Sequence, residues 1–296
     1  MRFTLVGAGA VGALWGLKLF EAGHQVHFVT RKEESQITLG FEHQKPQTFS
    51  ANQPSLGEDS DCLVVCVKAF QVIDAISAVK SHLHPDTPVV LMHNGMGTAN
   101  DVLQTLDTNP LVLATTSHGA LKISPSVLRH TGLGETRLGG ANVSGKQCDF
   151  LADVFSHALP SAKWEKDIQT ALWRKLAVNC MINPMTALRQ CQNGELLSDS
   201  LREQLNTLSE EIALVMQAEG LNVASGDVLQ HALQVAKATA ENHSSMNRDV
   251  HFKRRSEIDF ITGYLISRAE SHDIAVPENR ALYQAIKNLE LSYDHA

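Results

Sequence analysis

The sequence has no apolar run near the roughly 18 residues that a membrane-spanning helix requires, which argues against a membrane role. Basic surplus is missing too: 25 Lys and Arg against 32 Asp and Glu give a formal charge of -7. Nothing therefore draws the chain to nucleic acid, and an anionic small molecule would need a local cluster of positive groups. The cysteines are few and odd in number, namely Cys62, Cys66, Cys148, Cys180 and Cys191, and their spacing suggests neither a disulfide framework nor a zinc site. Cys62 and Cys66 bracket Leu-Val-Val and read as small apolar residues of a buried strand. The histidines are scattered, and His82-Leu-His84, the nearest approach to a metal pair, reads as surface residues with no cysteine close by, so no metal is expected. Instead of a basic end, apolar core and cleavage site, Met1-Arg2 leads directly into a strand-like stretch, and a cytoplasmic protein is expected. Internal repeats and low-complexity linkers are also absent.

What is present is the profile of a globular protein, 43% hydrophobic and 19% charged over 296 residues, enough for one large or two ordinary domains. Two styles of sequence meet near residue 163. Before it, short apolar runs at Phe3–Val6, Gln25–Val29, Cys62–Val67, Pro88–Met92 and Leu111–Ala114 alternate with helical stretches. Nearly continuous apolar strands are those of a parallel sheet covered on both faces, so residues 1–163 are expected to form a Rossmann-type doubly wound α/β domain. Val127–Leu138, with Gly132 and Gly134 near its middle, reads as a late antiparallel hairpin. Residues 164–296 are expected to form an all-helical domain, with a cleft between the two. Leu201, Leu205, Leu208, Ile212 and Val215 make one helical stripe, Ile258, Ile261, Leu265 and Ala269 another, and Pro277 can open a final helix.

Gly7-Ala8-Gly9-Ala10-Val11-Gly12 follows the first strand and precedes a helix-like run, the context in which this glycine pattern binds a dinucleotide. The first glycine permits the turn, the second admits the pyrophosphate, and the third lets helix and strand pack closely. A purely structural turn is the alternative. NAD-binding proteins usually carry an acid at the end of the second strand, but here that strand ends in Thr30-Arg31-Lys32 and no acid appears before Glu33. A guanidinium suits a 2′-phosphate, so Arg31, with Lys32 as helper, favours NADPH over NADH.

In the second half, Lys175, Asn179 and Asn183 recur every four residues and form one polar stripe on an otherwise apolar helix. The stripe is either a solvated face or a pocket wall. Asn183 precedes Pro184, where a kink or end is expected. Glu257, four residues before Ile261 on what reads as a helix, borders an apolar stripe, and Lys175 is a natural partner for it. Such a pair is a tunable proton donor or a structural ion pair. Ser244 or Ser245 caps a helix or lines the site.

These residues resemble the ketopantoate reductases (2-dehydropantoate 2-reductases) over nearly the whole chain. The resemblance rests on the glycine motif, Val67-Lys68-Ala69-Phe70-Gln71, His93-Asn94-Gly95-Met96-Gly97-Thr98, Lys175 to Pro184, Gln192-Asn193-Gly194-Glu195-Leu196, Ser244-Ser245-Met246 and Glu257-Ile258-Asp259. It implies NADPH-dependent reduction of ketopantoate to pantoate, a step towards pantothenate and coenzyme A. It further implies that Lys175 is the general acid and that Glu257 supports it or the substrate. Asn94, Asn179, Asn183, Asn193 and Ser245 would orient the substrate, Asn94 and Lys68 would lie on the cofactor side, and Arg31 would meet the 2′-phosphate. Two rivals stay open: reduction of another small 2-keto acid, and a regulator that senses NADPH without turnover. Self-association is not legible.

Overall fold

The computed structural model describes residues 1–53, 59–106 and 108–295. It divides into two units, Met1–His93 with Thr98–Ala171, and Asn94–Gly97 with Leu172–Ala296. The first runs β1 (Arg2–Val6), α1 (Ala10–Glu21), β2 (Gln25–Val29), β3 (Gln36–Phe41), β4 (Gln47–Ser50), β5 (Cys62–Val65), α2 (Val72–Val79) and β6 (Val89–Leu91). It continues with α3 (Ala99–Thr105), β7 (Leu111–Thr116), β8 (Gly119–Lys122), β9 (Val127–Gly132), β10 (Thr136–Gly140), α4 (Phe150–Ala158) and β11 (Ala162–Trp164).

Seven strands form the main sheet in the order β11-β10-β7-β6-β5-β1-β2. From β7 to β2 all neighbours are parallel, whereas β10 runs antiparallel to β7. Phe3, Leu5, Cys62, Leu63, Val64, Val65, Val89 and Val90 are all fully buried, as strands covered on both faces must be. After β2 the chain returns to the other side of β1, so the strand order reverses between β1 and β5. That reversal is where the carboxyl ends of an open parallel sheet leave a crevice for a ligand.

The expected hairpin over Val127–Leu138 does not form. Strand β9 lies in a separate four-stranded sheet, β4-β3-β9-β8, pairing antiparallel with β8, while β10 joins the main sheet. Gly134 carries the crossing instead of a hairpin turn: a Cβ there would lie 2.4 Å from the Ser117 carbonyl carbon, and its N–H donates to His118 Nδ1 at 3.1 Å.

The described part of the second unit is helical: the main helices are α5 (Ile168–Arg189), α6 (Arg202–Ala218), α7 (Ser225–Ala238), α8 (Ser245–His251), α9 (Thr262–Ser271) and α10 (Pro277–Leu291). One apolar core joins them, with Trp173, Met181, Met185, Leu208, Ile212, Leu265 and Ile286 at its centre. Buried Glu211 on α6 accepts hydrogen bonds from the N–H groups of Glu278 and Asn279 at 2.8 and 3.0 Å, capping α10 from a neighbouring helix. Helix α5 runs through Pro184 to Arg189 rather than ending there. Proline inside a helix costs about 3 kcal/mol, and the burial of Met181, Ile182, Met185 and Ala187 around it outweighs that. The stripe from Ile258 to Ala269 is buried as expected, yet it is not one helix. Ile258–Phe260 forms a tight 3₁₀ turn, Ile261 breaks the chain direction with φ -104° and ψ -88°, and α9 starts at Thr262. Glu257 therefore stands before a turn, not on a helix.

Candidate active site

In the first unit the glycine motif sits where β1 ends. Gly7 has φ +98°, and a Cβ there would meet Val67 Cγ1 at 2.8 Å, so only glycine passes between the ends of β1 and β5. A Cβ on Gly12 would lie 2.0 Å from the Gly7 carbonyl oxygen, which closes α1 onto the strand. Gly9 is different: among the described residues nothing beyond its own stretch of backbone lies within 4 Å of its Cβ position, leaving open space beside the first turn of α1. That turn has no acidic residue and no side-chain cap. Its free N–H groups and positive dipole end therefore suit a pyrophosphate, and the residues fit a dinucleotide.

Past β2, Asn52 shapes the loop that carries Arg31 and Lys32. Its Oδ1 accepts from Thr30 N–H at 2.8 Å, and its Nδ2 donates to the Glu34 carbonyl at 2.9 Å. Arg31 is exposed at the surface of this loop, and Lys32 pairs with Glu34 at 3.5 Å. Asn52 belongs to no motif and no local signal in the sequence marks it; it acts 22 residues away from Thr30. Lys68 is half-buried and extended, two residues beyond the fully apolar β5 and its neighbour Cys66, and its carbonyl accepts from Gln71 N–H at 2.8 Å.

Chemistry of another kind gathers in the second unit. Asn94–Gly97 belongs to it although its neighbours in sequence do not. Gly95 has φ +82°, its Cβ position is 2.3 Å from the Phe260 carbonyl oxygen, and Met96 N–H donates to that same oxygen at 2.8 Å. Docked in this way, Asn94 donates through Nδ2 to Glu257 Oε2 at 3.2 Å. Glu257 is 3% exposed, and its turn is tied down on both sides: Ser256 N–H donates to Glu290 at 2.7 Å. Asp259 accepts from the Tyr283 hydroxyl at 2.9 Å and from Lys287 at 3.1 Å.

Lys175 is half-buried on α5, and desolvation pushes its pKa down to about 8, with the charge of Glu257 working in the opposite direction. At neutral pH the group is thus mainly an ammonium, and a more acidic one than an ordinary lysine. Asn179 and Asn183 continue the same face, half-buried and 5% exposed respectively. The polar stripe is therefore not a solvated face.

Beyond the end of that stripe, Ser244 caps α8 by accepting from Asn247 N–H at 3.1 Å and shares a 2.8 Å hydrogen bond with Thr186 Oγ1. The cap is Ser244, which leaves Ser245 exposed at the first helical position. Asn193 is buried, donates to Thr239 Oγ1 at 2.9 Å, and among the described residues keeps its Oδ1 without a hydrogen-bond partner. Asn94, Lys175 and Glu257 thus form one cluster. Asn193 and Ser245 belong to the neighbourhood of Thr239–Ser244.

The chain is similar to known proteins over its whole length. Residues 3–142 match the family model described as Ketopantoate reductase PanE/ApbA, and residues 167–290 match that of its C-terminal part. The 2-dehydropantoate 2-reductase of Vibrio cholerae serotype O1 is 44% identical over 296 residues, covering 100% of both chains. The crystal structure of a PanE/ApbA family ketopantoate reductase from Ralstonia eutropha JMP134 has a TM-score of 0.86 at 28% identity, covering 100% of both chains. D-mandelate dehydrogenase, in a ternary structure with NADH and anilino(oxo)acetate, shares the fold with a TM-score of 0.89 at 22% identity over 99% of this chain and 100% of that one.

Proposed function

Since the chain belongs to the ketopantoate reductase family, we propose that it reduces 2-dehydropantoate to pantoate with NADPH and that Lys175 is the proton donor. The observation that carries the mechanism is the Lys175 ammonium, lowered to about 8 beside a buried Glu257 that Asn94 holds. The backbone from Gly7 to Gly12 (Gly7, Ala8, Gly9, Ala10, Val11, Gly12) would hold the pyrophosphate, Arg31 the 2′-phosphate, and Lys68 the cofactor side of the substrate site. When bound, the reduced nicotinamide supplies the hydride for the keto carbon.

As the new C–H bond forms, the carbonyl electron pair moves to oxygen, and Lys175 Nζ gives that oxygen its proton. Charge on the oxygen is thereby quenched as it develops, which lowers the barrier. Glu257 favours the charged lysine and so keeps the donor loaded. Asn94, Asn179, Asn183, Asn193 and Ser245 orient the substrate carboxylate and hydroxyl; the unsatisfied Oδ1 of Asn193 is suited to accept from that hydroxyl. We place the reaction in the cytoplasm, in keeping with five buried free thiols.

The D-mandelate dehydrogenase fold shows that this architecture alone does not choose the keto acid; the full-length 44% identity to a 2-dehydropantoate 2-reductase favours ketopantoate. Following nicotinamide absorbance with ketopantoate and either NADPH or NADH tests the reading. Fast NADPH oxidation and slow NADH oxidation are expected. Tight NADPH binding with no turnover of ketopantoate would overturn the substrate assignment.

A further inference from the structure

Lys122 ends β8, in the smaller sheet, opposite Leu128 of β9. Its Nζ reaches the glycine motif of the main sheet and donates to the Ala8 carbonyl oxygen at 2.9 Å. One of three ammonium hydrogens is used there. Among the described residues its hydrogen-bond partner is thus a neutral carbonyl and not a carboxylate. The side chain is half-buried, and its pKa is lowered by burial first and by the positive charge of Lys32 second.

Lys32 is exposed and has Glu34 as its counter-charge, but the half-buried Lys122 ammonium has only a neutral acceptor beside that cation, a poor arrangement because a desolvated charge is costly unless countered. An anion would relieve it. The neighbouring features point to the same need: Gly9 has open space at its Cβ position, and the first turn of α1 carries no acid. Arg31, beside Lys32, adds one more positive charge after β2.

We propose that Lys122 is a phosphate-binding residue of the dinucleotide site, acting with the Arg31–Lys32 loop while it braces the glycine turn through Ala8. The proposal rests on the NADPH reading above. No part of it involves the reacting carbonyl, so its signature is cofactor affinity and not the proton-transfer step.

Calorimetric titration of the full-length protein with NADPH and, separately, with NADH tests it. Loss of a charge-assisted contact to phosphate is expected to weaken NADPH binding by K122M about 10- to 100-fold, with a melting temperature near that of the wild type. K122R should stay within a few-fold of wild type. K122Q can still donate to Ala8 but lacks charge, and it should fall with K122M. Parallel loss of NADH affinity assigns the ammonium to the shared pyrophosphate, and selective loss of NADPH assigns it to the 2′-phosphate; both support the proposal. Unchanged NADPH affinity in K122M, or full recovery by K122Q, would reduce Lys122 to a neutral brace and overturn it. A wild type that binds neither dinucleotide would instead overturn the cofactor reading on which it rests.

Discussion

Asn94 donates to the Glu257 carboxylate at 3.2 Å across 163 positions of sequence, and Glu257 in turn raises the pKa of Lys175 against the desolvation that lowers it. The amide holds the carboxylate, and the protonation of Lys175 depends on its burial and on that carboxylate.

The pH dependence follows with a definite sign. With Lys175 as the proposed proton donor, kcat/KM is expected to fall as pH rises through about 8, where Lys175 loses its proton. Removing the Glu257 charge in E257Q removes the influence that raises this pKa, so the falling limb moves to lower pH. A pH–rate profile of both proteins checks it, and coincident alkaline limbs would separate Glu257 from Lys175.

Cofactor choice is expected to reside in the loop after β2. R31A should weaken NADPH binding about 10- to 100-fold and leave NADH binding within about two-fold. N52A should show the same selectivity at smaller size, because Asn52 only holds the loop in place. Fluorescence titration of each variant with both cofactors provides the measurement; equal losses for both would contradict the assignment.

Stability should depend on a residue remote from chemistry. Glu211 accepts from two backbone N–H groups and from Asn279 Nδ2 at 2.8 Å, and it is 6% exposed. E211A strands those donors, and a loss of about 2–4 kcal/mol is expected in urea denaturation, with kcat of the remaining folded protein little altered.

Features carried by local sequence are legible in the amino-acid order itself. Glycines at the end of a first strand, the four-residue recurrence of Lys175, Asn179 and Asn183, and Pro277 at the start of α10 each follow from backbone geometry over one or two turns. Long-range partners are not legible in this way. Gly134 looks like a turn residue in sequence, but close passage beside Ser117 explains it. Glu257 shares helical spacing with Ile261, yet the Phe260 carbonyl between them is taken by Met96, far away in sequence, and the chain bends there. Asn52 and Lys122 belong to no motif; their roles exist only once β2 and β8 stand beside the glycine turn. At Pro184, of the kink or end that the local rule allows, the end does not occur: the helix continues to Arg189 with the residues around the proline buried.

The most direct test of the central claim is the turnover of K175A with ketopantoate and NADPH, measured together with its NADPH dissociation constant. Loss of the proton donor should lower kcat by about 10²- to 10⁴-fold while NADPH affinity stays near that of the wild type. Normal turnover in K175A would remove Lys175 from the mechanism.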